Sequence, residues 1–175
     1  VIPLANWVTR CRLQPWRGPY YSSKTVKWTI HNGLTYVMRY TFLEFLTTTP
    51  LNLLFYRLMG MKIGAHSQIN SSAISDPSLI SIGEHVTIGG SATVIGHYGV
   101  GGLLVLAPTI IEDGATIGLR AIVMGGTTIG KNAKVLPNSV VLPKTKIGEG
   151  ETWAGVPAVK IETSRNRPSD DLASL

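Results

Sequence analysis

From Val105 onward a bulky apolar residue recurs at every sixth position: Val105, Ile111, Ile117, Val123, Ile129, Val135, Val141, Ile147, Trp153 and Val159. Neither the 3.6-residue helical period nor two-residue alternation selects this set. A solenoid of hexads does, because each beat places one side chain in a shared axial core, and three short flat strands complete a triangular turn. Four residues after most beats stands a small or short residue (Ala115, Ala121, Thr127, Ala133, Ser139, Thr145), suited to a corner where side chains of adjoining faces converge. Gly118, Gly130 and Gly148 follow beats directly. Tolerance of left-handed angles and of close approach assigns them to turns.

The same clock runs earlier with interruptions, through Ile63 and Ile69, then Ile82, Ile88 and Val94. The 13 residues from Ile69 to Ile82 are one more than two beats, so an insertion around Asp76 to Ser78 is expected to bulge from a corner. The 11 residues from Val94 to Val105 are one fewer than two beats, and between them lies a glycine-rich stretch from Ile95 to Gly102. In a solenoid such departures map to loops on one face, often the binding face.

Upstream of the repeat the periodicity changes. Residues 33–60 read as two helices: Leu34 to Leu46, broken by Arg39 and Glu44, then Leu51 to Met59, with Thr49-Pro50 as N-cap and first-turn proline and Gly60 as the stop. The division expected is a basic, helical N-terminal extension over 1–60, a repeat domain over 61–161 and a polar tail over 162–175. The helices are expected to cap the first coil, whose open end would expose core and strand edges. The alternative is attachment to an anionic membrane surface or to a larger parent protein.

Charge sharpens that choice. Residues 1–62 hold eight Lys/Arg against Glu44 alone, net +7, whereas the remainder is net −1. The sign suits a membrane surface, an acidic partner or nucleic acid, but no helix-turn-helix, zinc-finger or RNA-recognition signature supports the last. With 175 residues, 44% hydrophobic and 15% charged, the chain makes one folded domain with an appendage. The single cysteine, Cys11, excludes an internal disulfide framework or multi-cysteine metal site and points to a reducing, cytoplasmic setting. No run reaches 18 apolar residues and no signal peptide is evident; the start at Val1 is compatible with a piece of a longer protein.

Four histidines compete for chemistry. His31 reads as a solvated loop residue, and His66 and His85, each three residues after a beat, as outer-face or corner residues. His97 stands where the register breaks, between Gly96 and Gly99 and close to Gly101-Gly102. An imidazole there can exchange protons near neutral pH beside a bound substrate.

From about Leu58 to Ile161 the sequence resembles the hexapeptide-repeat acyltransferases. The resemblance is carried by Ile117-Gly118, Ile129-Gly130 and Ile147-Gly148, by the opening Leu58 to Gly64 and by the ending Trp153-Ala154-Gly155-Val156-Pro157-Ala158. It implies a left-handed parallel β-helix. The stretch from Asp76 to Val94, with His97 and Leu103 to Leu106, is similar to modules attached to nonribosomal-peptide-synthetase-like proteins. The resemblance further implies an acyltransferase, acetyl-coenzyme A or another acyl-coenzyme A as cosubstrate, no metal, a small-molecule hydroxyl or amine acceptor, and His97 as general base. It implies a homotrimer with the site between subunits. Carried over by position, Leu119 and Pro137 would line the pantetheine arm, while Lys144 and Lys160 would meet its phosphates. Two rivals share the coil: a non-catalytic trimerising scaffold, and a gamma-type carbonic anhydrase. The spacing of His66, His85 and His97, 19 and 12 residues, lacks the close downstream pair of the latter.

Overall fold

The computed structural model describes residues 13–47 and 49–162. Cys11 and all but the first residue of the expected polar tail lie outside them. A short strand β1 (Trp16–Pro19) is followed by helix α1 (Ser23–Met38), a π-helical turn (Arg39–Leu43), one further helical turn (Glu44–Leu46) and helix α2 (Pro50–Leu58). The rest of the described chain winds into a parallel β-helix with three faces, as the six-residue clock predicts. Face I stacks β2 (Lys62–Ile63), β5 (Ile80–Ile82), β10 (Thr109–Ile111), β13 (Thr128–Ile129) and β16 (Lys146–Ile147). Face II stacks β3 (Gln68–Ile69), β6 (Thr87–Ile88), β11 (Thr116–Ile117), β14 (Lys134–Val135) and β17 (Thr152–Gly155). Face III stacks β4 (Ile74–Ser75), β7 (Thr93–Ile95), β12 (Ile122–Val123) and β15 (Val140–Val141). Two strands interrupt the coil as an antiparallel hairpin, β8 (His97–Val100) and β9 (Leu103–Leu106), and β18 (Ala158–Ile161) folds back on β17 to close it.

The beats are the core. Ile111 pairs in register with Ile82 and Ile129, and Ile129 with Ile147, so identical side chains stack along the axis. From Ile111 to Ile147 every beat is buried, and the short residues at Ala115, Ala121, Thr127, Ala133 and Ser139 are buried with them. Two ends of the predicted series do not belong to it. Val105 lies in the hairpin, and Val159 is mostly exposed on β18, an antiparallel strand outside the coil. The glycines after the beats also act differently from expectation. Gly118, Gly130 and Gly148 are absent from the left-handed positions, which fall instead three residues after each beat, at Gly114, Arg120, Gly126, Asn132, Asn138, Lys144 and Gly150. Gly118 and Gly130 serve close approach: a Cβ on Gly118 would stand 2.4 Å from the Pro137 nitrogen of the next coil.

The N-terminal segment caps the first coil. Phe55, Tyr56 and Met59 join the same apolar cluster as the beats. Asn52 Nδ2 donates to the Ile69 carbonyl at 2.7 Å and Arg57 Nη2 to that of Ile63 at 3.1 Å, satisfying acceptors on the open edge. Pro50 and Gly60 stand at the expected start and stop of α2, though the Thr49 hydroxyl donates back to Leu46 O at 2.9 Å rather than capping α2. The first helix begins eleven residues before the expected Leu34, at Ser23, with Ser22 Oγ accepting from Thr25 N–H. His31 is therefore a fully buried helix residue and not a solvated loop residue.

Two tests address this architecture. Gly118→Ala drives a Cβ into the neighbouring coil and should destabilise by about 1–3 kcal/mol, whereas Gly33→Ala, with open space around it in α1, should stabilise by about 0.5–1 kcal/mol. Thermal melts of the two variants should move in opposite directions. At the other end of the coil, Glu151 accepts from Lys160 Nζ at 2.8 Å, Trp153 Nε1 at 2.9 Å and Gly148 N–H at 2.8 Å. The lysine above all, then the two N–H donors, hold its carboxyl down to about 2. A carboxylate depressed on folding contributes stability above its unfolded value and loses it as pH falls through the folded one. Glu151→Gln should thus lower the melting temperature at neutral pH, with the deficit closing between about pH 4.5 and about pH 2.

Candidate active site

Both interruptions of the clock leave the coil at one corner, between faces III and I, in successive turns. In the first turn Ile74 takes the inward place opposite Val94, five residues after Ile69, and the surplus residues form a left-handed Asp76 and the 3-10 turn Pro77–Leu79 before β5. One turn on, the chain leaves face III at Gly96 and returns at Ala107, whose N–H donates to the Gly96 carbonyl at 2.8 Å and closes the stem of the hairpin. The stretch expected as an irregular glycine-rich loop is thus a regular β-hairpin. Gly101 and Gly102, both at positive φ, form its two-residue turn between the paired Val100 and Leu103. β1 extends this sheet along β9, and Leu13, Leu79, Leu104 and Leu106 form a second small core with Trp16 and Trp28 packed against it.

At this corner Asp76 is fully buried and lies beside the hairpin stem. Its Oδ1 accepts from Trp28 Nε1 at 2.9 Å and Asn32 Nδ2 at 2.8 Å; its Oδ2 accepts from Gly96 N–H at 3.1 Å and meets His97 Nδ1 at 2.5 Å. Indole, amide and backbone nitrogens can only donate, so the carboxyl accepts these three bonds, and with the carboxyl ionised Nδ1 is the donor of the fourth. Nε2 then holds the free lone pair, and among the described residues it has no hydrogen-bond partner. Trp28 meets the imidazole edge to face, with centroids 5.1 Å apart, and the ring remains 24% exposed. Nearby glycines make this closeness possible: a Cβ on Gly96 would stand 2.8 Å from Leu79 Cβ and 3.0 Å from Asp76 Cβ, and one on Gly125 about 2.7 Å from the His97 backbone. The arrangement is an oriented base: one face of the imidazole is fixed by a buried carboxylate and the opposite nitrogen opens to solvent.

The other residues singled out from the sequence fall in three places. Lys144 shares the His97 corner two coils further along, past Gly125, its Nζ 5.6 Å from the Tyr98 ring centroid. Leu119 and Pro137 stack at a different corner, between faces II and III, where Asn138 N–H donates to the Leu119 carbonyl at 2.9 Å. Lys160 lies on β18, paired with Glu151. His66 and His85 stand at the corner between faces I and II, stacked with centroids 4.9 Å apart, in agreement with the surface position expected of them. Among the described residues no three His, Cys, Asp or Glu side chains gather as a metal site.

Sequence reasoning found His97 but not its partners. In the sequence Asp76 marks the edge of an insertion and the start of the synthetase-like stretch, with no chemistry assigned to it, and Trp28 and Asn32 carry no signal. A signal was available for Asp76: the insertion at Asp76 to Ser78 and the break after Val94 each come just before the first beat of the next turn, Ile82 and Ile111, which puts them on the same corner one coil apart. For Trp28 and Asn32 no local pattern exists, since their contact with Asp76 spans 48 and 44 residues.

Residues 108–143 match the family profile described as a hexapeptide repeat of succinyl-transferase. The chain is 33% identical over 114 residues to delta-poly-L-ornithine synthetase of Acinetobacter baumannii, a match covering 65% of this chain and 8% of the synthetase. Over 77 residues it is 35% identical to mitochondrial gamma carbonic anhydrase 2 of Arabidopsis thaliana, covering 44% of this chain and 23% of the anhydrase. The chain thus spans less than a quarter of either relative. Its fold is similar to that of a hexapeptide-repeat-containing acetyltransferase from Vibrio cholerae O1 biovar eltor, solved with acetyl coenzyme A. That match has a TM-score of 0.62 and 18% identity over 94% of this chain and 99% of the other.

Removing the hub should be costly to the fold. Asp76→Ala strands Trp28 Nε1, Asn32 Nδ2 and the Gly96 N–H, and should destabilise by about 3 kcal/mol or more in chemical denaturation. His97→Ala leaves Asp76 its other three donors and should destabilise by less.

Proposed function

We propose that this chain, a three-faced β-helix whose residues 108–143 match a hexapeptide repeat of succinyl-transferase, is an acyl-coenzyme A-dependent acyltransferase, with an acetyl group as the donor's cargo and a small-molecule hydroxyl or amine as acceptor. The observation that carries this reading is the Asp76–His97 pair. His97 Nε2 takes the proton from the acceptor as its oxygen or nitrogen attacks the thioester carbonyl, and the buried Asp76 carboxylate steadies the imidazolium formed. The tetrahedral adduct collapses with cleavage of the C–S bond, and the proton on Nε2 passes to the departing thiolate. The products are the acylated acceptor and free coenzyme A. No covalent enzyme intermediate is needed. Asp76 is a positioning residue in this scheme, and His97 the catalytic one.

Assembly is part of the same reading. Leu119 and Pro137, the residues assigned to the pantetheine arm, stand across face III from His97 in one chain. A groove holding both is completed when the corner of a second copy meets the His97 corner of the first, which fits a three-fold assembly. Lys144, on the His97 corner, is then placed to meet coenzyme phosphates from the other side. Lys160 is the weaker phosphate contact, because Glu151 already engages its ammonium group.

With acetyl coenzyme A and an accepted substrate, His97→Ala should lower turnover by about 10²–10⁴ while leaving the fold intact. Asp76→Asn places an amide donor against Nδ1, forces the proton onto Nε2 and removes the base. It should lower kcat by a similar factor and leave the KM for acetyl coenzyme A within about threefold. Near-normal kcat in either variant ends the mechanism. Saturable acetyl coenzyme A binding separates the transferase from a scaffold, and stoichiometric zinc in the purified protein would favour the carbonic anhydrase reading instead. Sedimentation showing only monomer would remove the shared groove.

A further inference from the structure

Helix α1 is turned inside out. The side chains it presses toward the coil are polar: Thr25, His31, Asn32 and Thr35 are all buried, with Trp28 among them bonded to Asp76. The opposite stripe, at i, i+4 and i+11, is apolar and open: Val26 is 57% exposed, Ile30 45% and Val37 55%. Tyr36 and Tyr40 flank it, stacked with centroids 6.2 Å apart. Phe42 in the π turn and Phe45 just beyond are exposed as well, the latter at 81%. In α2, Asn52, Phe55 and Tyr56 face the coil while Leu51, Leu54 and Leu58 lie on the outside, each more than half exposed. Isolated apolar side chains on a surface need no explanation, but a run of them along successive helices marks a surface that is covered in use.

Charge identifies what covers it. Lys24 and Lys27 lie on α1, Arg57 on α2 and Lys62 just after it, all exposed. The one acidic residue of the first 62, Glu44, is engaged by Ser72 Oγ at 2.8 Å. The layer from Ser23 to Leu58 thus carries four basic residues, Lys24, Lys27, Arg39 and Arg57, against Glu44 alone, net +3, whereas residues 63–175 are net −1. A second copy docked face to face would bring like charges together. Anionic lipid instead meets both features at once, with aliphatic side chains entering the acyl boundary, tyrosines at headgroup level and lysines on the phosphates. No helix among the described residues is long and apolar enough to cross a membrane, so the layer lies in the interface and does not span it.

We propose that the helical layer from Ser23 to Leu58, through Val26, Ile30, Val37, Phe45 and Leu54, seats on an anionic lipid surface and holds the coil on its aqueous side. This inference stands apart from the acyl-transfer chemistry, because none of these five side chains belongs to the Asp76–His97 pair.

The test is co-sedimentation of the whole 175-residue chain with vesicles of phosphatidylcholine alone, or of equal parts phosphatidylcholine and phosphatidylglycerol. Binding is expected to the phosphatidylglycerol vesicles and to fall at least about tenfold between roughly 0.1 and 0.5 M salt. Ile30→Glu, Val37→Glu and Leu54→Glu should each weaken it by about tenfold or more, with circular dichroism and melting temperature unchanged. His97→Ala should bind like the unaltered chain. Absence of binding to phosphatidylglycerol vesicles overturns the proposal, as does equal binding by the three glutamate variants. Loss of an oligomer in those variants, with vesicle binding retained, would assign the face to a second copy and overturn it too.

Discussion

Registration of one coil upon the next is the constraint from which the rest of the molecule follows. Parallel strands of two or three residues have little hydrogen bonding of their own, so each rung is held by the rungs above and below it and by an inward side chain stacked on its equivalents. Backbone shape is repeated with the side chains. A left-handed residue stands three positions after nearly every beat, whether glycine, asparagine or lysine occupies it. The coil tolerates non-glycine residues there because so many neighbouring bonds determine the corner. Surplus chain can leave only at a corner, since an extra residue within a rung would turn every later beat outward.

Two departures from the same corner, in consecutive turns, create the site. The first leaves an aspartate in left-handed backbone; the second leaves a hairpin whose first residue is a histidine. Coil geometry alone stacks one above the other. Gly96 and Gly125 allow the approach, and Trp28 and Asn32 supply the donors that make a fully buried carboxylate tolerable. The same bonds fix the imidazole tautomer, so the requirements of burial and those of base catalysis are met by one set of contacts.

That solution has a consequence for the N-terminal helix. A helix that must offer indole and amide donors to Asp76 turns its polar side inward, and the apolar remainder of its sequence is left facing outward. Satisfying a buried charge inside the molecule and creating an apolar surface outside it are the same structural event. The cationic fringe on this surface then selects the kind of surroundings in which such a face is stable.

The sequence alone determined the coil, its three-fold cross-section, the capping role of residues before Lys62 and the place where the repeat fails. These are consequences of short-range periodicity, and periodicity survives in one dimension. It also singled out His97, because a lone histidine in a register break is a local feature. It misread Val105 and Val159 as rungs, since an apolar residue at the right interval in an antiparallel hairpin looks the same as one in the coil. It missed the start of α1 because that helix buries polar residues, and the usual apolar stripe pointed the wrong way. Only the tertiary structure decided that Asp76 lies against His97 and that Trp28 and Asn32 complete the cage. Contacts across 21 to 48 residues depend on how many residues each corner absorbs, and that is settled by packing in three dimensions.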